Sequence, residues 1–137
     1  MKSLHTLLKV AQRRMDELGV EAAKVQQAIA EMQEKQRSIR AREQQEIAAA
    51  VNPMFASMLP AYRQRVKWQI DEVQQQVNAK EEILSDVRER LQTAYVEKSK
   101  FEQLIEQEAV RVATDRAAKE QAMLDEVAIN RAGSAGK

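Results

Sequence analysis

The side chains of this chain that could perform acid–base chemistry are one histidine and several adjacent carboxylates. His5 is the sole histidine, and acidic residues are paired at Glu81-Glu82 and Asp125-Glu126. General acid–base catalysis requires carboxylates in enclosed environments that separate their pKa values. An elongated chain of long helices, which the apolar repeats described below predict, offers no enclosed cleft, so we expect solvated side chains, no metal ion and no enzymatic activity.

Glycine and cysteine are scarce, which limits the cofactors that the chain could bind. There are 3 glycines and no cysteine. Gly19 stands alone and the other two glycines fall in the last five residues, so a glycine-rich phosphate loop is excluded. Without cysteine there is no disulfide or thiolate metal site. We expect no cofactor.

Charge and hydropathy are balanced along the chain. The 22 basic and 21 acidic residues give a net charge of +1, too little for strong attraction to nucleic acid. No apolar run approaches the ~18 residues of a membrane span, and the first residues lack the apolar core of a signal peptide. These features predict a cytoplasmic protein with no membrane span.

An apolar repeat in the first half of the chain predicts a helix. Counting alternately four and three residues from Leu4, ten of eleven positions are apolar, and Gln36 is the exception. A 3.5-residue period is typical of the contact face, or seam, of a coiled coil. The seam positions are Leu4, Leu8, Ala11, Met15, Leu18, Ala22, Val25, Ile29, Met32, Gln36 and Ile39.

The second half carries the same repeat over a longer stretch. Ten of twelve positions are apolar in the series Val66, Ile70, Val73, Val77, Lys80, Leu84, Val87, Leu91, Ala94, Lys98, Phe101 and Ile105. After Ile105 the register fails, and a displaced apolar set continues the helix. That set is Ala113, Ala117, Leu124 and Val127.

The residues that favour a turn are concentrated between the two repeats. Pro53 and Pro60 each disfavour helix at the preceding residue. We therefore predict one all-α unit with a first helix at about 4–50, a turn at 51–60, a second helix at about 61–130 and a frayed tail at 131–137. Two helices joined by a short connection are expected to form an antiparallel coiled-coil hairpin with a longer second helix.

The unequal helix lengths leave part of the second helix without an intrachain partner. If the chain folds back near residue 56, position i faces about 112 − i, so that Leu4 faces Glu108. About twenty residues, 109–130, then extend beyond the first helix; we call them the C-terminal extension. Because an isolated helix of this length is marginal in water, we expect the extension to dock on another protein.

Three further surfaces permit two interpretations each. The turn carries Met54, Phe55, Met58, Leu59, Tyr62 and Trp68, which form either a cap that closes the hairpin or a partner surface. The stripe of Val66, Ile70, Val73 and Val77 opposes polar residues of the first helix, so it is either seam core or an exposed docking stripe. The basic clusters Arg37, Arg40 and Arg42, and Arg63, Arg65 and Lys67, either solubilise the surface or contact an acidic partner.

Several short motifs resemble the flagellar FliJ family, a small coiled-coil component of the type III export apparatus. The motifs are Leu4-x-x-Leu7-Leu8-x-x-Ala11, then Asp16-Glu17 and Ala22-Ala23, then Glu97-Lys98-Ser99-Lys100-Phe101-Glu102-Gln103-Leu104, then Leu124-Asp125-Glu126 and Arg131. Their order, the chain length and the two-helix layout match the family over most of the chain.

The resemblance implies a fold similar to the γ subunit stalk of rotary ATPases and a non-enzymatic stalk or adaptor function. The implied partners are the hexameric export ATPase FliI, the export gate protein FlhA and export chaperones, at the cytoplasmic side of the flagellar base. By position, Val66, Ile70, Val73 and Val77 match the gate-facing stripe of the family. The pore-facing residues would be Leu104, Val112, Ala113, Ala117, Leu124 and Val127.

Other coiled-coil functions stay open at this point. A self-associating scaffold or four-helix dimer would pair the extensions of two copies with each other. The equivalent stalk of a virulence secretion system would show the same apolar repeats and composition, so these features do not separate it from the flagellar stalk. A nucleic-acid-bridging coiled coil is disfavoured by the net charge of +1.

Overall fold

Two α-helices make up nearly all of the described chain. The structure, a computed structural model, describes residues 2–50 and 52–135. Helix α1 spans Lys2–Ala49 and helix α2 spans Pro53–Ala135, and no strand occurs in the described residues. The prediction of an all-α hairpin with a longer second helix is confirmed.

The predicted seam positions form the interior of the hairpin. All eleven counted positions of α1 and all twelve of α2 are buried or half-buried. The ten most buried apolar residues all belong to this count: Ala11, Leu18, Ala22, Ile29, Val66, Val73, Val77, Leu84, Val87 and Ala94. A 3.5-residue repeat keeps one face of each helix toward the other, which is why the periodicity alone identified the core.

Residues Arg14–Thr93 form one unit by their contacts, and its two helices are antiparallel. Residues 26–33 of α1 share a groove with residues 81–92 of α2, whereas residues 35–46 share one with residues 62–69. Sequence numbers therefore rise along one helix as they fall along the other.

The polar seam residue Gln36 shows the register of this unit. Its Nε2 donates a hydrogen bond to the carbonyl oxygen of Ile70 at 3.4 Å and to Oε1 of Gln74 at 3.1 Å. The 112 − i rule would place residue 76 opposite Gln36, so the observed partners lie closer to the connection. The difference arises because α2 begins at Pro53, and the chain folds back earlier than residue 56.

The second unit contains Met1–Arg13 together with Ala94–Lys137. Ala11 and Ala94 are buried here, and Leu4 and Ile105 are half-buried. Glu108 is the last residue with any burial, because all described side chains at 109–134 are exposed. The extension thus begins where the sequence predicted it.

The start of α2 differs from the predicted turn at 51–60. Asn52 caps the helix, because its Oδ1 accepts a hydrogen bond from the Met54 N–H at 3.0 Å. Its carbonyl oxygen accepts the first helical bond, from the Ala56 N–H at 3.0 Å. Pro53 takes the first helical position, where a missing N–H costs nothing. The predicted turn residue Val51 lies outside the described residues.

Pro60 consequently lies inside α2 instead of at its beginning. It has no N–H, so the carbonyl of Ala56 loses its helical donor. The turn before it is stabilised by the Ser57 hydroxyl, which donates to the Met54 carbonyl at 2.7 Å. At the other end, α2 continues to Ala135, beyond residue 131 where the sequence predicted a frayed tail. A single glycine such as Gly133 lowers the stability of a helix by only about 1 kcal/mol relative to alanine.

Candidate partner-binding surfaces

The candidate acid–base residues lie on solvent-exposed helix faces. His5, Glu81, Glu82, Asp125 and Glu126 are all exposed. Among the described residues, no three His, Cys, Asp or Glu side chains come together in a way that could hold a metal ion. The structure therefore brings none of these residues into an enclosed site.

The valine stripe near the start of α2 is part of the hairpin core. Val66, Val73 and Val77 are 4%, 6% and 1% exposed, and Ile70 is half-buried. Of the two interpretations, the burial supports seam core over an exposed docking stripe, and the polar Gln36 packs against the stripe through its hydrogen bond to the Ile70 carbonyl. A gate-binding role for these four residues stays a prediction, and it requires the helices to separate.

The residues predicted to face the ATPase pore are all exposed. Leu124 has 63% of its surface exposed, and Leu104, Val112, Ala113, Ala117 and Val127 are exposed as well. At 3.6 residues per turn, five of these residues fall within an arc of about 140° around α2: Val112, Ala113, Ala117, Leu124 and Val127. Leu104 lies outside this arc. Five of the six predicted residues thus share one apolar face of the extension.

Three more apolar residues of the extension were missed by the heptad count. Val110, Met123 and Ile129 are among the most exposed large apolar side chains of the described chain. Met123 lies within the arc of the apolar face and Val110 flanks it, whereas Ile129 lies on another side. A search for apolar residues regardless of spacing would have found them, since none of them lies at a position of the counted heptad repeat.

A charged face lies on another side of the same helix. The Arg111 guanidinium contacts the carboxylates of Glu108 and Asp115, the latter at 3.2 Å. The hydrogen bond from Arg111 holds the pKa of Glu108 below its ordinary value, against the raising effect of desolvation. The same hydrogen bond raises the pKa of Arg111. Pairs at this spacing support an exposed helix.

The turn residues form an open surface rather than a closed cap. Met54, Phe55, Met58 and Trp68 are exposed, and only Leu59 and Tyr62 of the predicted set are half-buried. Phe55 lies on the same side of α2 as the buried Val66, but α1 has already ended at Ala49 and does not cover it. The choice between cap and partner surface therefore favours the partner surface.

A groove runs along this end of the hairpin, between the last turns of α1 and the first turns of α2. Its volume is about 820 Å³, within the usual range of ligand-binding pockets. Residues 42–49 of α1, the following Ala50 and residues 55–65 of α2 line it, with apolar contributions from Ala49, Ala50, Phe55, Met58, Leu59 and Tyr62. Arg42 and Arg65 from the predicted basic clusters line it too.

Comparison with known proteins identifies the chain by its family. Neither described helix contains a segment long and apolar enough to cross a membrane. No curated protein and no solved structure matches the chain significantly. The family model described as flagellar FliJ protein matches residues 1–137, the whole chain. With its two-helix fold and full-length match, the chain belongs to the flagellar FliJ family, whose members are non-catalytic components associated with flagellar export.

Proposed function

We propose that this protein is the stalk and adaptor of the flagellar type III export ATPase FliI. In this function it promotes assembly of the ATPase ring and couples the ring to the export gate protein FlhA and to export chaperones. It acts at the cytoplasmic side of the flagellar base. Family membership supports an export-associated role, and the unpaired C-terminal extension carries the finer proposal.

The extension has the properties expected of a helix that is completed by another protein. All its described side chains are exposed, and its apolar face has no partner in the described chain. Tertiary packing normally supplies most of the stability of a helix, and a lone helix of about twenty residues receives none. Insertion of the apolar face into a ring of subunits would supply that packing.

The composition of the apolar face favours a different protein over a second copy of this chain. Arg116 and Glu120 interrupt the face between Ala113 and Leu124. A self-associating coiled coil is stabilised mainly by apolar residues repeated at its seam positions, and each polar residue there lowers its stability. Two charges within one short stretch weaken such a seam, whereas a dissimilar partner can offer complementary charges.

The proposal is tested first by removing the extension. A variant truncated after Ile105 keeps every buried residue of the hairpin. We expect it to fold, as judged by circular dichroism, but to lose its stimulation of FliI ATPase activity and ring formation. Full stimulation by the truncated protein would contradict the proposal.

A pair of full-length variants locates the contact on one face of the extension. Leu124→Asp with Val127→Asp places two charges on the apolar face, and Ala118→Asp with Ala122→Asp places the same charges on the other side. All four positions are exposed, so neither variant disturbs the hairpin core. We expect the first variant to lose stimulation and the second to keep it. Equal loss in both would contradict a face-specific contact.

Self-association is the second candidate, because Leu124 and Val127 are exposed apolar residues. It predicts a dimer in which the extensions of two copies pair with each other. Sedimentation velocity separates the two candidates. A monomer supports the stalk, whereas a dimer that Leu124→Asp dissociates supports the scaffold.

A further inference from the structure

We propose that the groove at the turn end of the hairpin binds an amphipathic helix of a partner protein, and that this helix carries acidic residues beside its apolar face. The groove is the one lined by residues 42–50 and 55–65. None of these residues belongs to the predicted ATPase-facing or gate-facing sets. The groove is therefore a different surface from those predicted to contact the ATPase and the gate.

The shape and size of the groove fit a short helix. Its two walls are about 12 Å and 15 Å long at 1.5 Å per residue, which corresponds to two to three helical turns. Amphipathic helices bind such grooves through apolar residues at positions i, i+3, i+4 and i+7. A helix of this length presents three or four such residues.

The floor of the groove is apolar and adaptable. Phe55 and Met58 are 57% and 62% exposed, although they line a concave surface next to the half-buried Tyr62. Unbranched methionine side chains rearrange easily around an incoming apolar residue. A flat lipid surface would contact the rim of such a groove but not its floor, so the concavity favours a peptide ligand.

The charge around the groove specifies the acidic character of the ligand. Residues 37–69 contain six basic and two acidic residues, a local excess of four positive charges in a chain with a net charge of +1. Arg42 and Arg65 line the groove from opposite helices, and neither forms an ion pair with another described residue. Arg37 differs, because it pairs with Glu34 at 2.6 Å.

These two arginines give the groove its specificity for carboxylates. Guanidinium groups bind carboxylates through paired, charge-assisted hydrogen bonds. Glu46 is the one acidic residue in the lining, and it lies on the same wall as Arg42. Two free guanidinium groups against one carboxylate leave the groove with a net positive charge.

The proposal is tested with full-length protein and a displayed library of 14-residue helical peptides. Leucine or isoleucine occupies positions i, i+3, i+4 and i+7 of each peptide, and the other positions vary among Asp, Glu, Lys, Arg and Gln. We expect selection to yield peptides enriched in Asp and Glu. No selected binder, or enrichment of Lys and Arg, would overturn the proposal.

Matched variants then place the selected peptide in the groove. We expect Arg42→Glu with Arg65→Glu to weaken its binding by about tenfold or more, and Phe55→Ser with Met58→Ser to abolish it. The controls are Arg13→Glu and Met123→Ser, exposed residues of the same types elsewhere. Weakening by the controls to the same extent would overturn the proposal.

Two further measurements separate this proposal from other outcomes. Fluorescence anisotropy of a labelled peptide with Glu replaced by Lys should show no binding. Sedimentation with vesicles of phosphatidylserine and phosphatidylcholine should leave the protein in the supernatant. Vesicle binding that Phe55→Ser with Met58→Ser removes would instead make the surface a lipid site. Stimulation of FliI by the groove variants reports separately on the proposed function.

Discussion

At the scale of single residues, position along the hairpin decides what an apolar side chain does. Val77 lies on the seam of α2 and is 1% exposed, whereas Val110 lies in the extension and is 61% exposed. Burial of each methylene-sized group stabilises the fold by about 0.8 kcal/mol. The first valine thus stabilises the hairpin, and the second leaves its apolar surface exposed to solvent.

Replacing either valine by alanine removes the same atoms from α2. We expect Val77→Ala to lower the free energy of unfolding by about 1–3 kcal/mol, since it leaves a cavity in the seam. Val110→Ala should change it by no more than about 0.5 kcal/mol, because no packing is lost. Urea titrations followed by circular dichroism measure both. Equal losses in the two variants would contradict the burial of the stripe.

The ion pair of Glu108 with Arg111 predicts a pH dependence at the start of the extension. The pKa of Glu108 is lower in the folded protein than its ordinary value of 4.5. The pair therefore stabilises the helix fully above that value, and its contribution is lost as the pH falls through the depressed pKa. An NMR titration of the Glu108 carboxyl should show the low pKa, and Arg111→Gln should raise it. An unchanged pKa in the variant would show that the pair is absent in solution.

At the scale of helices, the seam was predictable and the helix start was not. A 3.5-residue apolar repeat fixes which face of a helix is buried, so every counted position from Leu4 to Ile39 is covered. Pro53 and Pro60 indicated a turn, because proline disfavours helix at the residue before it. Asn52 obeys that preference, because it lies outside the helix and caps it by accepting from the Met54 N–H, so α2 begins at Pro53. The preference is overridden only at Leu59, which precedes Pro60 inside α2.

Replacing Pro60 tests this early start of α2 directly. Pro60→Ala restores an N–H that can donate to the carbonyl of Ala56, which stabilises a helix interior by about 3 kcal/mol. The greater freedom of the unfolded chain offsets about 0.4–1 kcal/mol of this. We expect a net stabilisation of about 1–3 kcal/mol and a small rise in helicity. A neutral or destabilising result would place the helix start after Pro60.

The candidate surfaces were predictable to different degrees. Exposure of the extension follows from the lengths of the two repeats, so Leu124 and Val127 could be named from the sequence. The groove at the turn end could not, since it depends on how α2 continues past the end of α1. The sequence indicated only some of the residues that line it, namely Phe55, Met58, Arg42 and Arg65.

At the scale of the whole molecule, the apolar residues are divided between an intrachain core and surfaces that stay exposed. The paired parts of α1 and α2 bury their seams against each other. The extension and the groove keep apolar residues exposed, and each has its own pattern of charge. A flagellar FliJ family member with these features is suited to contact more than one partner.

Hydrogen exchange followed by mass spectrometry tests whether the extension is completed by the export ATPase. In the isolated protein, shown to be monomeric by sedimentation, we expect slow exchange at the seam residues of 14–93 and fast exchange at 109–130. Addition of FliI should slow exchange at 109–130 in the wild-type chain but not in Leu124→Asp with Val127→Asp. Full protection of 109–130 in the isolated monomer, or no change on ATPase binding, would contradict the account.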